Sequence, residues 1–129
     1  MNRDTFHILV NAYCARTGQH FTDPAADHCV LSPPPGRQAV ILAWDAAQEE
    51  VVLIAQVGER PVALDDQGAM ALLSDAYLGQ NLGGAAAGID PDSGALVLWR
   101  RLPAYGLTAD TLETAIQRTL SAARACLLA

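Results

Sequence analysis

An α+β fold, with an antiparallel β-sheet and three helices in the order α-β-β-β-α-β-β-α, is predicted by three features of the 129-residue sequence. Three stretches carry apolar residues at helical spacing, one near each end and one in the middle. Five short runs are rich in β-branched and other apolar residues. The strands come in groups joined by short polar turns, which favours hairpins over the strand–helix–strand alternation of a parallel sheet. The length suits a single domain over residues 1–129. A composition 51% apolar and 17% charged is that of a packed protein.

The first helix is predicted over residues 4–17, where Phe6, Leu9, Val10 and Tyr13 form one apolar stripe and Gly18 marks the stop. A polar connection containing Thr22-Asp23-Pro24 follows. His28-Cys29-Val30-Leu31 is a short strand, closed by Ser32-Pro33-Pro34-Pro35-Gly36. Three prolines cannot join a ladder, so this strand is placed at an edge. Ala39–Trp44 and Val51–Ala55 are β-rich runs separated by the polar Asp45–Glu50, which predicts a hairpin. Neither run alternates cleanly with polar residues, so both faces of these strands are expected to be at least partly covered.

A second helix is predicted over 66–81, with Asp65 or Asp66 as N-cap and Met70, Leu73, Ala76, Tyr77 and Gln80 along one side. Gly68, Ala69, Ala71 and Gly79 are small and admit close approach of a partner, but the glycines lower intrinsic helix stability. Such a helix needs tertiary or quaternary packing to persist. Strands at 84–89 and 95–102 flank Asp90-Pro91-Asp92-Ser93-Gly94. The C-terminal helix opens at Thr108 as N-cap, with Asp110 and Glu113 at the positive end of its dipole. Leu107 and Leu112 stand at staple positions, and Leu112, Ile116, Leu120 and Ala123 form the stripe to be buried.

Fourteen acidic against eight basic side chains leave a net charge of −6. With no basic run longer than Arg100-Arg101, nucleic acid is disfavoured as a partner, and the acidic balance disfavours an anionic membrane. Cys14, Cys29 and Cys126 are odd in number and lack a CxxC spacing, so they read as reduced thiols in a cytosol. The Phe6–Val10 stretch, broken by His7 and preceded by Asp4, is not a signal peptide, and no apolar run is long enough to span a bilayer.

Residues 83–103 concentrate glycines, carboxylates and arginines and so invite a ligand reading. Calcium fails: Asp90-x-Asp92-x-Gly94 puts glycine at the third ligand position, and the twelfth position is Arg101. Asp-Pro-Asp-Ser-Gly is better suited to the tip of a hairpin, with Pro91 fixing φ, Asp92 and Ser93 bonding local backbone and Gly94 taking positive φ. Gly83-Gly84-x-x-x-Gly88 has the wrong spacing for a dinucleotide fingerprint and no helix after it, and no Walker lysine occurs. His20, Asp23, His28 and Cys29 match no structural zinc spacing. His7, Ser74-x-x-Tyr77 and Ser93 lack a base within the same motif, and Cys14 and Cys126 fall among apolar helix residues where cysteine acts as a small hydrophobe. The expectation is a non-enzyme with no catalytic residue, metal or cofactor.

The segment Asn81-Leu82-Gly83-Gly84-Ala85-Ala86-Ala87-Gly88-Ile89, the Asp90–Gly94 turn, the strand Leu96-Val97-Leu98-Trp99-Arg100-Arg101-Leu102-Pro103 and the helix from Thr108 onward resemble the class I type III secretion chaperones, the Tir-chaperone-like (CesT) family. The resemblance covers about residues 64–125 in motifs and the N-terminal half in element order, size and charge. Ala85-Ala86-Ala87 departs from the bulkier or more glycine-rich strand of that family. The resemblance implies a homodimeric, non-enzymatic protein of the bacterial cytosol. Its partner would be the non-globular N-terminal segment of a secreted effector, kept stable and export-competent, with the secretion apparatus as a further partner. The alternative is a small non-enzymatic ligand-binding or regulatory α+β domain with a pocket under helix one. A third reading is a small hydrolase using Cys29 with His28 or His20.

Two sites follow from these readings. Small residues beside Met70, Leu73 and Tyr77 on the second helix, continued by Gly84, are expected to form the dimer interface. Val30 and Leu31 on the edge strand, with Val40, Leu42 and Trp44 on one face of the next, are expected to bind the effector. Helix one either covers the opposite face or contributes to that groove.

Overall fold

Residues 2–19, 27–31, 39–57, 66–79 and 82–128 are described by a computed structural model. The elements are α1 (Arg3–Thr17), β1 (His28–Leu31), β2 (Val40–Asp45), β3 (Glu50–Gln56), α2 (Asp66–Asp75) with a 3-10 turn at Tyr77–Gly79, β4 (Ala86–Ile89), β5 (Leu96–Pro103) and α3 (Ala109–Leu128). The predicted order and class are therefore the observed ones. The sheet runs β1-β2-β3-β5-β4 and every neighbouring pair is antiparallel. β1 lies at an edge, as its length and the following prolines suggested; Pro33-Pro34-Pro35 themselves lie outside the described residues, as do His20, Thr22-Asp23-Pro24, Asp65 and Gln80.

Local chemistry accounts for the ends of the elements. Asn2 caps α1 by accepting from the Thr5 amide at 2.9 Å, and the chain leaves the helix at Gly18. Thr108 caps α3 by accepting from the Thr111 amide at 3.2 Å, while the Thr111 hydroxyl accepts from the Thr108 amide at 2.9 Å. This reciprocal pair satisfies two N–H groups at the helix start. The β4–β5 turn is the predicted hairpin tip. The Asp90 carbonyl accepts from the Gly94 amide at 2.8 Å, and Gly94 takes a φ of 72° that a residue with a Cβ adopts only under strain. The carboxylate that stabilises the turn is that of Asp90, accepting from the Asp92 amide at 2.9 Å; the sequence reading gave that part to Asp92. Ser93 bonds the Ala95 amide, as expected.

The second helix is shorter than its composition predicted. It stops at Asp75, because Leu78 and Gly79 adopt positive φ of 53° and 69°. A Cβ at Gly79 would lie 2.9 Å from the Gly84 backbone, so the chain doubles back on itself here through contacts that only a glycine permits. β4 accordingly begins at Ala86, and Gly84 belongs to the connection before it.

One face of the sheet carries the core. Cys29, Leu31, Val40, Leu42, Val51, Leu53, Ala55, Leu96 and Leu98 meet Phe6, Leu9, Val10 and Tyr13 of α1 and Leu112, Ile116, Leu120 and Ala123 of α3 in one buried cluster. The stripes predicted for both helices are the ones buried. Arg16 of α1 forms ion pairs with Asp110 and Glu113 of α3. These charges are largely solvated, so they orient the two helices more than they stabilise them.

Candidate functional site

The register of the sheet decides which side chains a partner can reach. Alternate residues of a strand point to opposite faces. Val30 pairs with Ile41, Ile41 with Ile54, Ile54 with Trp99, and Trp99 with Ala86, so these five form one row across the whole sheet on the face away from the core. Ala43, Val52, Val97 and Gly88 flank that row on the same face. Ile41, Ile54, Val97 and Trp99 are half-buried and Val30 is 62% exposed. Between them lies a groove of about 340 Å³, lined by Ile41, Ile54, Val97 and Trp99 and bordered by Gln56, Ile89 and Pro91. Its walls are mostly apolar, which suits aliphatic or aromatic side chains of a partner. At the rim, Arg101 stands 6.0 Å from the Trp99 ring centroid and donates to Asp45 at 3.0 Å. The Gln48 amide, foremost, and Arg101 hold the Asp45 carboxyl below its usual range.

The residues expected to bind an effector are divided by this register. Leu31 and Val40 are cross-strand partners, and Leu42 follows two residues on; all three point into the core, with Val40 and Leu42 wholly inaccessible. The face chosen from the sequence is thus the one that α1 and α3 cover, and its residues fold the protein instead of presenting a surface. Val30 points the other way, onto the open face. Trp44 sits at the margin of the core, its ring 6.3 Å from that of Phe6 and nearly parallel to it, and lines a second cavity of about 560 Å³ with Asn2, Arg3, Asp27 and Asp45. Ile41, Ile54, Val97 and Trp99 were not singled out from the sequence. The available signal was that Ile41 and Ala43, Val52 and Ile54, and Val97 and Trp99 are apolar as well as the residues that alternate with them.

The residues expected at a dimer interface lie on a second surface. Met70, Leu73, Tyr77 and Leu78 are 66%, 68%, 66% and 77% exposed, while Leu72 and Ala76 turn inward against the core. α2 therefore has an apolar side that its own chain leaves bare. Single exposed apolar residues are ordinary, but four within nine positions form a patch of the kind that marks interaction sites.

The remaining sequence candidates are accounted for by geometry. His28 and Cys29 are adjacent on β1 and point to opposite faces, so they do not form a nucleophile–base pair. Cys29 is pushed up to about 11, chiefly by burial and then by Cys14, and Cys14 is raised by burial as well. Thiols so placed remain protonated at neutral pH and are poor nucleophiles. The space under helix one, where the alternative reading placed a pocket, is filled by Phe6, Val10 and Tyr13. Among the described residues no group of three or more His, Cys, Asp or Glu is arranged to hold a metal.

The buried thiols and phenol make stability depend on alkaline pH. Burial, foremost, and the neighbouring Glu113 raise Tyr13 from 10.0 to about 12. Well below pH 9 these groups keep their protons folded or unfolded and add no pH dependence. Above it, unfolded Cys29 ionises from 9.0 while folded Cys29 holds its proton to about 11, so the unfolded state binds fewer protons and stability falls as pH rises. The thermal midpoint is expected to be flat near neutrality and to drop progressively above pH 9, with a shallower drop in Cys29→Ala. A midpoint unchanged at pH 11 would contradict the burial of these groups.

Solved structures share this fold. One chain of the HopA1-SchA chaperone–effector complex superposes with a TM-score of 0.80 at 21% identity, covering 98% of this chain and 96% of that one. A chain of the ExsC-ExsE complex gives 0.79 at 18% identity, over 98% and 95%. The Yersinia pestis type III secretion chaperone SycH, in complex with a fragment of YscM2, supplies a match at 0.70 and 16% identity, over 97% and 99%. No curated protein sequence matches the chain. The model of the Tir chaperone protein (CesT) family matches residues 9–127, and the chain belongs to that family.

Proposed function

We infer that this protein is a type III secretion chaperone that binds the non-globular N-terminal segment of a secreted effector and keeps it export-competent. It acts in the bacterial cytosol as a homodimer and without catalysis. Family membership supports the class, and the structural neighbours include a chaperone–effector complex, HopA1-SchA, and a type III secretion chaperone, SycH, in complex with a fragment of YscM2. The observation that carries the site is the apolar row from Val30 to Trp99 on the open face, ending at the free edge of β1. An extended segment adds main-chain hydrogen bonds along a free edge and places alternate side chains on the adjoining face. A disordered client wraps a large area and is still released, because its ordering consumes part of the interaction energy. Among the described residues no helix is long and apolar enough to cross a membrane.

Val30 is the residue to test, since its exposure lets a charge be introduced without filling the core. Val30→Asp is expected to remain folded and dimeric and to lower affinity for the effector's N-terminal segment at least tenfold, about 1.4 kcal/mol. The client is sought by co-purification with candidate secreted proteins, and affinity is measured by calorimetry. A folded Val30→Asp protein with unchanged affinity would remove this face from the binding site.

A further inference from the structure

Arg100 is a cation on the side of the sheet that α1 and α3 cover. It continues the alternation of Leu96 and Leu98 along β5, and both of those are buried in the core. Its guanidinium is held against the connection before β4. Nη2 donates to the Gly83 carbonyl, and a Cβ on Gly84 would lie 3.6 Å from that nitrogen and 3.7 Å from Nη1. Nε is buried and has no hydrogen-bond partner. Arg118 of α3 meets the same connection, since a Cβ on Gly83 would lie 3.0 Å from the Arg118 carbonyl oxygen. The two arginines line one cavity of about 330 Å³ together with Asp110, Thr111, Thr114 and Ala115. Burial, foremost, and the charge of Arg118 push the Arg100 guanidinium below its ordinary value.

Nothing on the chain balances this pair. Among the described residues neither arginine forms an ion pair, and the acids on the facing part of α3, Asp110 and Glu113, are drawn to Arg16. The Thr111 and Thr114 hydroxyls donate to the Thr108 and Asp110 carbonyls, so the guanidinium groups are the donors left to the cavity. A buried guanidinium N–H without an acceptor is costly, and an adjacent like charge adds to that cost. A leucine at this position would continue the row of β5 without either penalty.

We propose that Arg100 and Arg118 form a binding site for a phosphate group in the cavity between β5 and α3. Guanidinium forks match phosphate oxygens with paired N–H bonds. A phosphate ester carries about −1.5 to −2 charge at neutral pH, which balances two cations where a carboxylate balances one. The cavity has room for the phosphate and for part of a molecule that carries it. Arg100 points to the covered side of β5 and Trp99 to the open one, so a phosphate and an effector segment on the open face occupy different surfaces.

The test is the thermal midpoint and calorimetric binding with inorganic phosphate and with glycerol phosphate, at constant ionic strength set with chloride. Phosphate at about ten times its dissociation constant is expected to raise the midpoint by about 5 °C. Arg118→Gln is the decisive variant, because Arg118 is exposed and its replacement leaves the core intact. It is expected to fold as the unmodified protein does and to lose most of the shift. Arg124→Gln, on the same helix but outside the cavity, is expected to keep it. Tighter binding of glycerol phosphate assigns the site to a phosphate carried on a larger molecule, and equal or weaker binding assigns it to the free ion. No shift of the unmodified protein up to about 20 mM of either compound overturns the proposal. So does a folded Arg118→Gln protein with the full shift, or an equal loss in Arg124→Gln, which would mean general screening of charge.

Discussion

Leu42→Asp is expected to unfold the protein. Leu42 is wholly inaccessible, paired to Cys29 on one side and Leu53 on the other, at the centre of the face that α1 and α3 cover. Truncating a buried leucine costs about 2–5 kcal/mol. Placing an ionised carboxylate there without a partner adds several kcal/mol more, or forces the group to stay protonated. The total is comparable with the stability of a whole domain, about 5–15 kcal/mol. Ile41→Asp is the control, because Ile41 is the adjacent residue on the open face and remains half-buried. Circular dichroism in urea is expected to show no cooperative transition for Leu42→Asp and a retained one for Ile41→Asp. A native-like midpoint for Leu42→Asp would mean that the face carrying Val40 and Leu42 is not the core.

Leu73→Arg is expected to convert a dimer into a folded monomer. Leu73 is 68% exposed in the single chain, so arginine there costs the monomer little. In a homodimer built on the bare side of α2 the change acts twice, once from each copy, and buries two cations without partners. An interface of standard size buries about 1,600 Å² in total, and a desolvated unpaired charge in it costs about 2–5 kcal/mol. That corresponds to a loss of association of about thirtyfold to several thousandfold. Light scattering at micromolar concentration is expected to give twice 13.6 kDa for the unmodified protein and 13.6 kDa for Leu73→Arg, with the same thermal unfolding of the monomer. A mass of 13.6 kDa for the unmodified protein would eliminate the homodimer.

The contrast between these two positions reflects what hydropathy encodes. Met70, Leu73 and Tyr77 stand among small residues in the sequence, and in the single chain they are exposed. On β2 the pattern held no such information. Val40, Leu42 and Trp44 alternate with Ile41 and Ala43, and both sets are apolar. Choosing between them needed the position of α1 and α3, which no residue of β2 specifies. Leu31, Val40 and Leu42, named for effector binding, lie for that reason on the covered face, and only Val30 of the edge pair is on the accessible side.

By itself the sequence determined the class and order of elements, the hairpin at Asp90–Gly94, the cap at Thr108, the edge position of β1 and the stripes of α1 and α3. Each of these depends on residues within a few positions of one another, through periodicity, turn chemistry or capping. Tertiary structure decided the rest. It ended α2 at Asp75, because Gly79 must meet the Gly84 backbone. It brought Arg100 beside Arg118 and Gly83, residues 18 and 17 positions away in the chain. It also chose the covered face of the sheet. A strand has two faces and its own sequence labels them only when their polarity differs; where both are apolar, the helices that pack on one of them make the distinction.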